Sequence, residues 1–313
     1  DVSKILQCST VFAIHNDNGT VFAVSFSSKN EVKAFKFDTA KYSFKEPFSL
    51  YTSSFNTQPR ICYSSDSSKI LFFTVGIINK QKTIEIQVFN KQLKLIFETK
   101  QSITSSSNNV QATITSSGSV FYIDNNGTHY TVYGIDTKKT MLEKHIFSMQ
   151  KSRNIEPLIA SFSNTVFIVS ALNKENVQFD CVESMSILRL NESGTKMSEK
   201  KYTLGKCLND NKLVHLLPEN EMTIKVVTET FSTKKNQTNN QCNYGSLFVK
   251  KFDCSVDTII WQKEIFKNLY FVGTTDKISD PYNSDYKTTY GHNIIVNGTK
   301  VYFLYNDNCN NCM

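Results

Sequence analysis

The sequence predicts an all-β fold of repeated four-stranded sheets, and three observations carry this. First, a short β-branched and aromatic run recurs along the chain as TVFAVSF, KILFFTV, SVFYIDN, TVFIVSA, EMTIKVV and KVYFLYN. Anchored on Val21, Ile70, Val120, Val166, Met222 and Val301, these runs lie 49, 50, 46, 56 and 79 residues apart. Second, companion strands sit at nearly fixed offsets from each anchor, with turn residues between them. Third, 30 Asn, 34 Ser and 29 Thr in 313 residues, with 12% aromatics, suit half-buried strands better than helices. A four-stranded unit repeated at roughly 45 to 60 residues is the pattern of a β-propeller, whose sheets stack like vanes around an axis.

The elements follow in order. Before each anchor lies one strand: VFAIHN, PRICYSS, VQATITSS, PLIASFS, LVHLLPE and HNIIVNG. The anchor run is the second strand. The third is EVKAFKFD, TIEIQVFN, TVYGID, MSILRLN or SLFVKKFD, closing on Asp38, Asn90, Asp136, Asn191 and Asp253. Asp and Asn favour such turns because their side chains cap nearby backbone groups. The fourth is SFKEPFSL, LKLIFETK, MLEKHIFS, MSEKKYT or TIIWQKEIF. One propeller domain over 1–313 is expected, with blades at 9–50, 58–102, 110–150, 156–204, 212–266 and 267–313. The sixth unit has only two strands, and the segment Val2–Gln7 is expected to add a third. Three completions stand open: a longer natural chain, a short last blade, or strand addition by another molecule, including a second copy.

The segment SLFVKKFDCSVDTIIWQKEIF, with Asp253 and Trp261, resembles the repeat of the quinoprotein-dehydrogenase-like propellers. TVYGIDTKKTMLEKHIF is similar. The resemblance covers most of the chain as a repeat grammar and implies the propeller fold alone. It carries over no active site: Trp261 is the only Trp, and no two Cys are adjacent as in quinone-binding members.

Charge narrows the partners. The net charge is +7, but only Arg60, Arg153 and Arg189 are arginines, against 32 lysines. Nucleic-acid readers rely on the bidentate Arg fork, and the lysines are scattered as singles and pairs, so no nucleic acid is expected. No apolar run approaches the ~20 residues of a membrane helix, so no membrane span is expected. The chain starts at Asp1 with no apolar leader before the first strand, a start that a processed chain and a recombinantly trimmed one would share.

The cysteines are Cys8, Cys62, Cys181, Cys207, Cys242, Cys254, Cys309 and Cys312, an even number that fits disulfides. Cys181 with Cys207, Cys242 with Cys254, and Cys8 with Cys309 or Cys312 are the simplest pairings. Zinc is the competing reading, and only Cys309 and Cys312 have metal-like spacing. N-glycosylation sequons occur at Asn18, Asn126, Asn191, Asn236 and Asn297, all in expected turns or loops. Together these place the chain in a secreted or extracellular-surface setting, with covalent N-glycans.

No metal signature, nucleophile elbow or phosphate loop is present, and no cofactor is expected. The unusual segment is the connection from Lys267 to His292, with Asp276, Asp280, Tyr282, Asp285, Tyr286, Tyr290 and His292. Its carboxylates and aromatics are the residue types of a Ca2+ site, a sugar platform, or the acid–base pair of a glycosidase. The segment Glu229–Tyr244 is expected to be a similar loop. The favoured expectation is a non-catalytic extracellular glycosylated propeller, acting as a structural or interaction unit of a surface coat or filament. The alternative is a secreted carbohydrate-active enzyme or a glycan- or cation-binding propeller.

Overall fold

The computed structural model describes residues 10–17, 20–38, 40–103, 110–125, 129–136, 145–148, 156–173, 182–203, 212–235, 241–256, 259–274, 293–297 and 300–304. Every element among them is a β-strand. Blade 1 holds β1 (Thr10–Asp17), β2 (Thr20–Phe26), β3 (Glu31–Asp38), β4 (Ser43–Phe44) and β5 (Phe48–Thr52). Blade 2 holds β6 (Arg60–Tyr63), β7 (Lys69–Ile78), β8 (Gln81–Asn90) and β9 (Leu95–Ser102). Blade 3 holds β10 (Gln111–Ile114), β11 (Val120–Asn125), β12 (His129–Ile135) and β13 (His145–Ser148). Blade 4 holds β14 (Leu158–Phe162), β15 (Thr165–Asn173), β16 (Val182–Leu190) and β17 (Lys196–Thr203). Blade 5 holds β18 (Lys212–Pro218), β19 (Thr223–Lys235), β20 (Gln241–Asp253) and β21 (Ile259–Thr274), and a sixth sheet pairs β22 (Asn293–Asn297) with β23 (Lys300–Leu304).

Each sheet is an antiparallel meander in chain order. The first strands of successive blades follow one another: β10 packs on β6, β14 on β10 and β18 on β14. Sheets stacked face to face, with the first strand of each innermost, make a β-propeller. Short bonds stitch the inner strands together. Ser161 Oγ donates to the Ile114 carbonyl at 2.6 Å, and Ser116 N donates to the Ser163 carbonyl at 2.9 Å. Ser163 N reaches Ser65 Oγ at 2.7 Å, joining the turns of blades 2 and 4.

The uninterrupted apolar second strands have a physical reason. A strand alternates its side chains between two faces, and a vane between two others buries both. Ile70 and Phe72 of β7 enter the core shared with Phe22, Val24, Val32 and Tyr51 of blade 1. Leu71 and Phe73 enter the core shared with Ile114, Val120 and Tyr122 of blade 3. Blades 3 and 4 meet through Phe121, Ile123, Val166 and Ile168. Blades 4 and 5 meet through Phe167, Met185, Tyr202, Ile224 and Phe252. Each such side chain contributes about 1.5 to 3 kcal/mol.

One expected strand is divided. SFKEPFSL reads as a single fourth strand, but β3 pairs with β4 at Phe37 and Asp38 and with β5 at Glu31 to Ala34. Pro47 lies in the gap, and proline has no N–H to give the ladder.

The first turn of blade 5 carries a small ion cluster. Glu219 pairs with Lys225, and with Lys251 at 2.7 Å. Burial alone raises the Glu219 carboxyl, but the bonds to both lysines outweigh it and hold it below the ordinary value. A lowered carboxyl stabilises the fold above its unfolded pKa and loses that contribution as pH falls through the folded one. Wild type is therefore expected to melt above Glu219→Gln at neutral pH. The gap begins to narrow near the ordinary value of 4.5 and closes in more acid solution, read by melting temperature against pH.

Candidate functional site

In blade 5 the outer strands outgrow the inner one. β18 pairs with β19 only from Lys212↔Glu229 to Pro218↔Ile224. Beyond that point β19 and β20 continue from Thr230↔Ser246 to Lys235↔Gln241, a further six residue pairs. At ~3.4 Å per residue this is an arm of about 20 Å. β21 accompanies β20 as far as Cys242↔Thr274, with bulges that twist this outer edge. Among the described residues, no strand pairs with the β18-side edge of Thr230–Lys235. Such an edge presents free N–H and C=O groups, the template for strand addition.

The arm corrects two readings of the sequence. Within Glu229–Tyr244, residues 229–235 and 241–244 are strand rather than loop, and the connection expected from Lys267 is strand as far as Thr274. TETFSTKK and QCNYG are polar, so they carry no apolar run. They are held by ladder bonds to neighbours on the sheet.

Blade 2 projects a second hairpin. Its two-residue turn, Asn79 and Lys80, is left-handed at both positions, with φ 50° and 66°. This is the twist-matched hairpin turn. Ile77 beside it is 71% exposed. At the base of this hairpin the chain leaving blade 1 is clamped. Glu85 is buried on β8 and accepts from Ser53 Oγ at 2.8 Å, Ser54 N at 3.0 Å and Ser54 Oγ at 2.9 Å. Lys100 Nζ lies 3.3 Å from the same carboxylate and donates to Ser54 Oγ at 2.6 Å. Next along, the Phe55 ring covers Gly76 so closely that a Cβ there would sit 2.1 Å from it. None of these residues was a site candidate from sequence. The available signal was the alternation in TIEIQVFN, which sets the polar Thr83, Glu85 and Gln87 on the face opposite Ile84, Ile86 and Val88, although all six are buried.

Among the described residues, the turns between third and fourth strands of blades 1, 2, 4 and 5 share one device. Asp38 Oδ1 accepts from Ala40 N at 3.0 Å, and Asn90 Oδ1 from Gln92 N at 3.0 Å and Lys94 N at 2.9 Å. Asn191 Oδ1 accepts from Ser193 N at 3.1 Å, Ser193 Oγ at 2.7 Å and Thr195 N at 2.8 Å. Asp253 Oδ1 accepts from Ser255 N at 2.8 Å and Ser255 Oγ at 2.6 Å. The left-handed position three residues on is Leu93 in blade 2 and Gly194 in blade 4. The outermost strands also leave apolar side chains in solvent: Phe48, Leu95, Ile96, Met197 and Ile260.

The sequence candidates divide accordingly. Asn191 is well described, and Asn297 ends β22. Asn18, Asn126 and Asn236 lie outside the described residues, as do Cys8, Cys181, Cys207, Cys309 and Cys312. So do Asp276, Asp280, Tyr282, Asp285, Tyr286, Tyr290 and His292, and the segment Val2–Gln7. Cys62 and Cys254 are free thiols, which corrects their place among the disulfide candidates. The Cys242–Cys254 pairing fails for a geometric reason. Cys242 is near one end of β20 and Cys254 just past the other, 12 residues apart along an extended strand. That is about 40 Å, whereas a disulfide needs Cα atoms about 4.4 to 6.8 Å apart. Burial pushes the Cys62 thiol up, against bonds to Thr113 and to the Ile114 and Tyr63 backbone. Burial likewise raises Cys254. Both are poor nucleophiles, because the thiolate is the reactive form.

No protein-family model matches the chain, and no curated protein matches it. Solved structures do. The chain is similar to the WD40 repeats of RRP9, with TM-score 0.44 and 8% identity over 82% of this chain and 67% of that one. It is similar to the Dos1 propeller, with TM-score 0.41 and 8% identity over 85% of this chain and 59% of that one. It is also similar to the β-propeller domain of the trilobed protease from Pyrococcus furiosus, with TM-score 0.38 and 11% identity over 83% and 98%. Among the described residues no helix is long and apolar enough to cross a membrane.

Proposed function

We propose that this chain is a non-catalytic, extracellular, glycosylated β-propeller that serves as a structural or interaction unit of a surface coat or filament. The arm of blade 5 carries the proposal. Its edge Thr230–Lys235 has no partner strand among the described residues, and it stands clear of the inner strand. Strand addition there needs only main-chain bonds, which suits association with other protein chains, a second copy included. Among the described residues, β22 and β23 pair only with each other, so their outer edges suit the same purpose.

The extracellular part rests on the five sequons and on the six cysteines other than Cys62 and Cys254. Of these, Cys181 with Cys207 is the proposed bond within blade 4. Val182 and Thr203 lie at the same end of β16 and β17, and each cysteine is within a few residues of one of them. The resemblance to quinoprotein-dehydrogenase-like repeats belongs to this reading too. Asp253, which carries the resemblance, caps its turn through Ser255.

Lysine-directed cross-linking of the protein on its native surface tests the arm. The expected result is links from Lys234 or Lys235 to another chain. Links confined to one chain, on a protein that sediments as a monomer, would remove the interaction reading.

A further inference from the structure

The structure assigns Asn191 as an N-glycan carrier whose side chain holds the blade 4 turn through one atom and leaves the other for the sugar. This rests on the extracellular reading above. The carboxamide has two ends. Oδ1 takes all the turn bonds, from Ser193 N, Ser193 Oγ and Thr195 N. Nδ2 makes no hydrogen bond among the described residues, and Glu192 and Ser193 beside it are exposed. An N-glycan attaches at Nδ2. In the transfer, Nδ2 loses one proton and bonds the anomeric carbon of a glycosyl diphosphate donor. The anomeric C–O bond breaks and the diphosphate departs. Nothing in the turn is lost, because Oδ1 remains an amide oxygen.

The other blades show that the fold itself does not require asparagine. At the same position blade 5 has Asp253, whose Oδ1 is met by the N and Oγ of Ser255 just as Asn191 is met by Ser193. Blade 1 uses Asp38 in the same way. Blade 2 has Asn90, but its second neighbour is Gln92, so no sequon arises. Only at Asn191, among the described turns of this class, does the capping residue also begin an Asn-x-Ser sequon. The turn explains an Asp or Asn there; the free Nδ2 beside Ser193 is what a glycan would use.

The isosteric change separates the two roles. Asn191→Asp keeps the oxygen acceptor and removes the amide, whereas Asn191→Ala removes both. Each variant and the wild type are secreted from a eukaryotic host, weighed intact before and after enzymatic deglycosylation, and melted. The expected result is one glycan fewer on both variants, with the melting temperature of deglycosylated wild type kept by Asn191→Asp and lowered in Asn191→Ala. Equal glycan numbers on wild type and Asn191→Asp, with glycans at other sequons, would overturn this site alone. A secreted wild type carrying no glycan at any sequon would overturn both this site and the extracellular reading. A melting temperature for Asn191→Asp as low as that of Asn191→Ala would overturn the division of labour between Oδ1 and Nδ2.

Discussion

Glu85→Ala is expected to destabilise the protein by about 1 to 3 kcal/mol, the range for leaving a buried hydrogen-bonding group without its partner, because the lysine left behind, Lys100, is half exposed. The carboxylate is 1% exposed, and it gathers two hydroxyls, one backbone N–H and an ammonium. Alanine leaves Ser53 Oγ without its acceptor in a buried site and frees the chain between blades 1 and 2. Glu85→Gln keeps an acceptor oxygen and the shape, so its loss is smaller. Because Ser53, Ser54 and Lys100 act through the same carboxylate, Ser53→Ala added to Glu85→Ala costs less than the sum of the two alone. Urea unfolding of the four proteins measures this. Additive losses, or a Glu85→Ala loss below about 1 kcal/mol, would mean that the clamp does not hold the segment.

Phe72→Ala is expected to cost about 3 to 5 kcal/mol, the usual figure for a buried phenylalanine. Its ring is fully buried and meets Phe89 edge-on at 5.4 Å and Tyr51 at 6.0 Å. The neighbouring Leu71→Ala removes a side chain from the other face of the same strand, into the core with blade 3. Leu→Ala at such a site costs about 2 to 5 kcal/mol. If β7 is a vane with a separate core on each side, the double variant loses the sum to within about 0.5 kcal/mol. Strong coupling in urea unfolding would mean one shared core, as in a two-layer sandwich, rather than two.

The same two-sided burial explains what could be read from sequence. A strand packed on both faces needs apolar residues without interruption, so KILFFTV and TVFIVSA stand out against an Asn-, Ser- and Thr-rich background. The Asp or Asn closing each third strand was legible too, because the side chain must reach its own turn. Pro47 was visible but its effect was not, since edge strands tolerate proline at a break. The arm was hidden because its strands are stabilised by backbone pairing and carry Thr, Lys and Asn. Cys254 looked like a bonding partner for Cys242, yet it sits in the core with Tyr202 and Phe252, as a small apolar residue would. The Glu85 clamp depends on contacts 31 or more residues apart on one side and 15 on the other, which no local pattern records.

Intact mass spectrometry of the protein from its native source tests the central reading most directly. Thiols are alkylated in denaturant before and after reduction, and glycans are removed enzymatically. The expected result is glycan mass at sequons including Asn191, two alkylated cysteines before reduction, Cys62 and Cys254, and all eight after it. A bare polypeptide with all eight cysteines alkylated before reduction would contradict an extracellular glycosylated propeller.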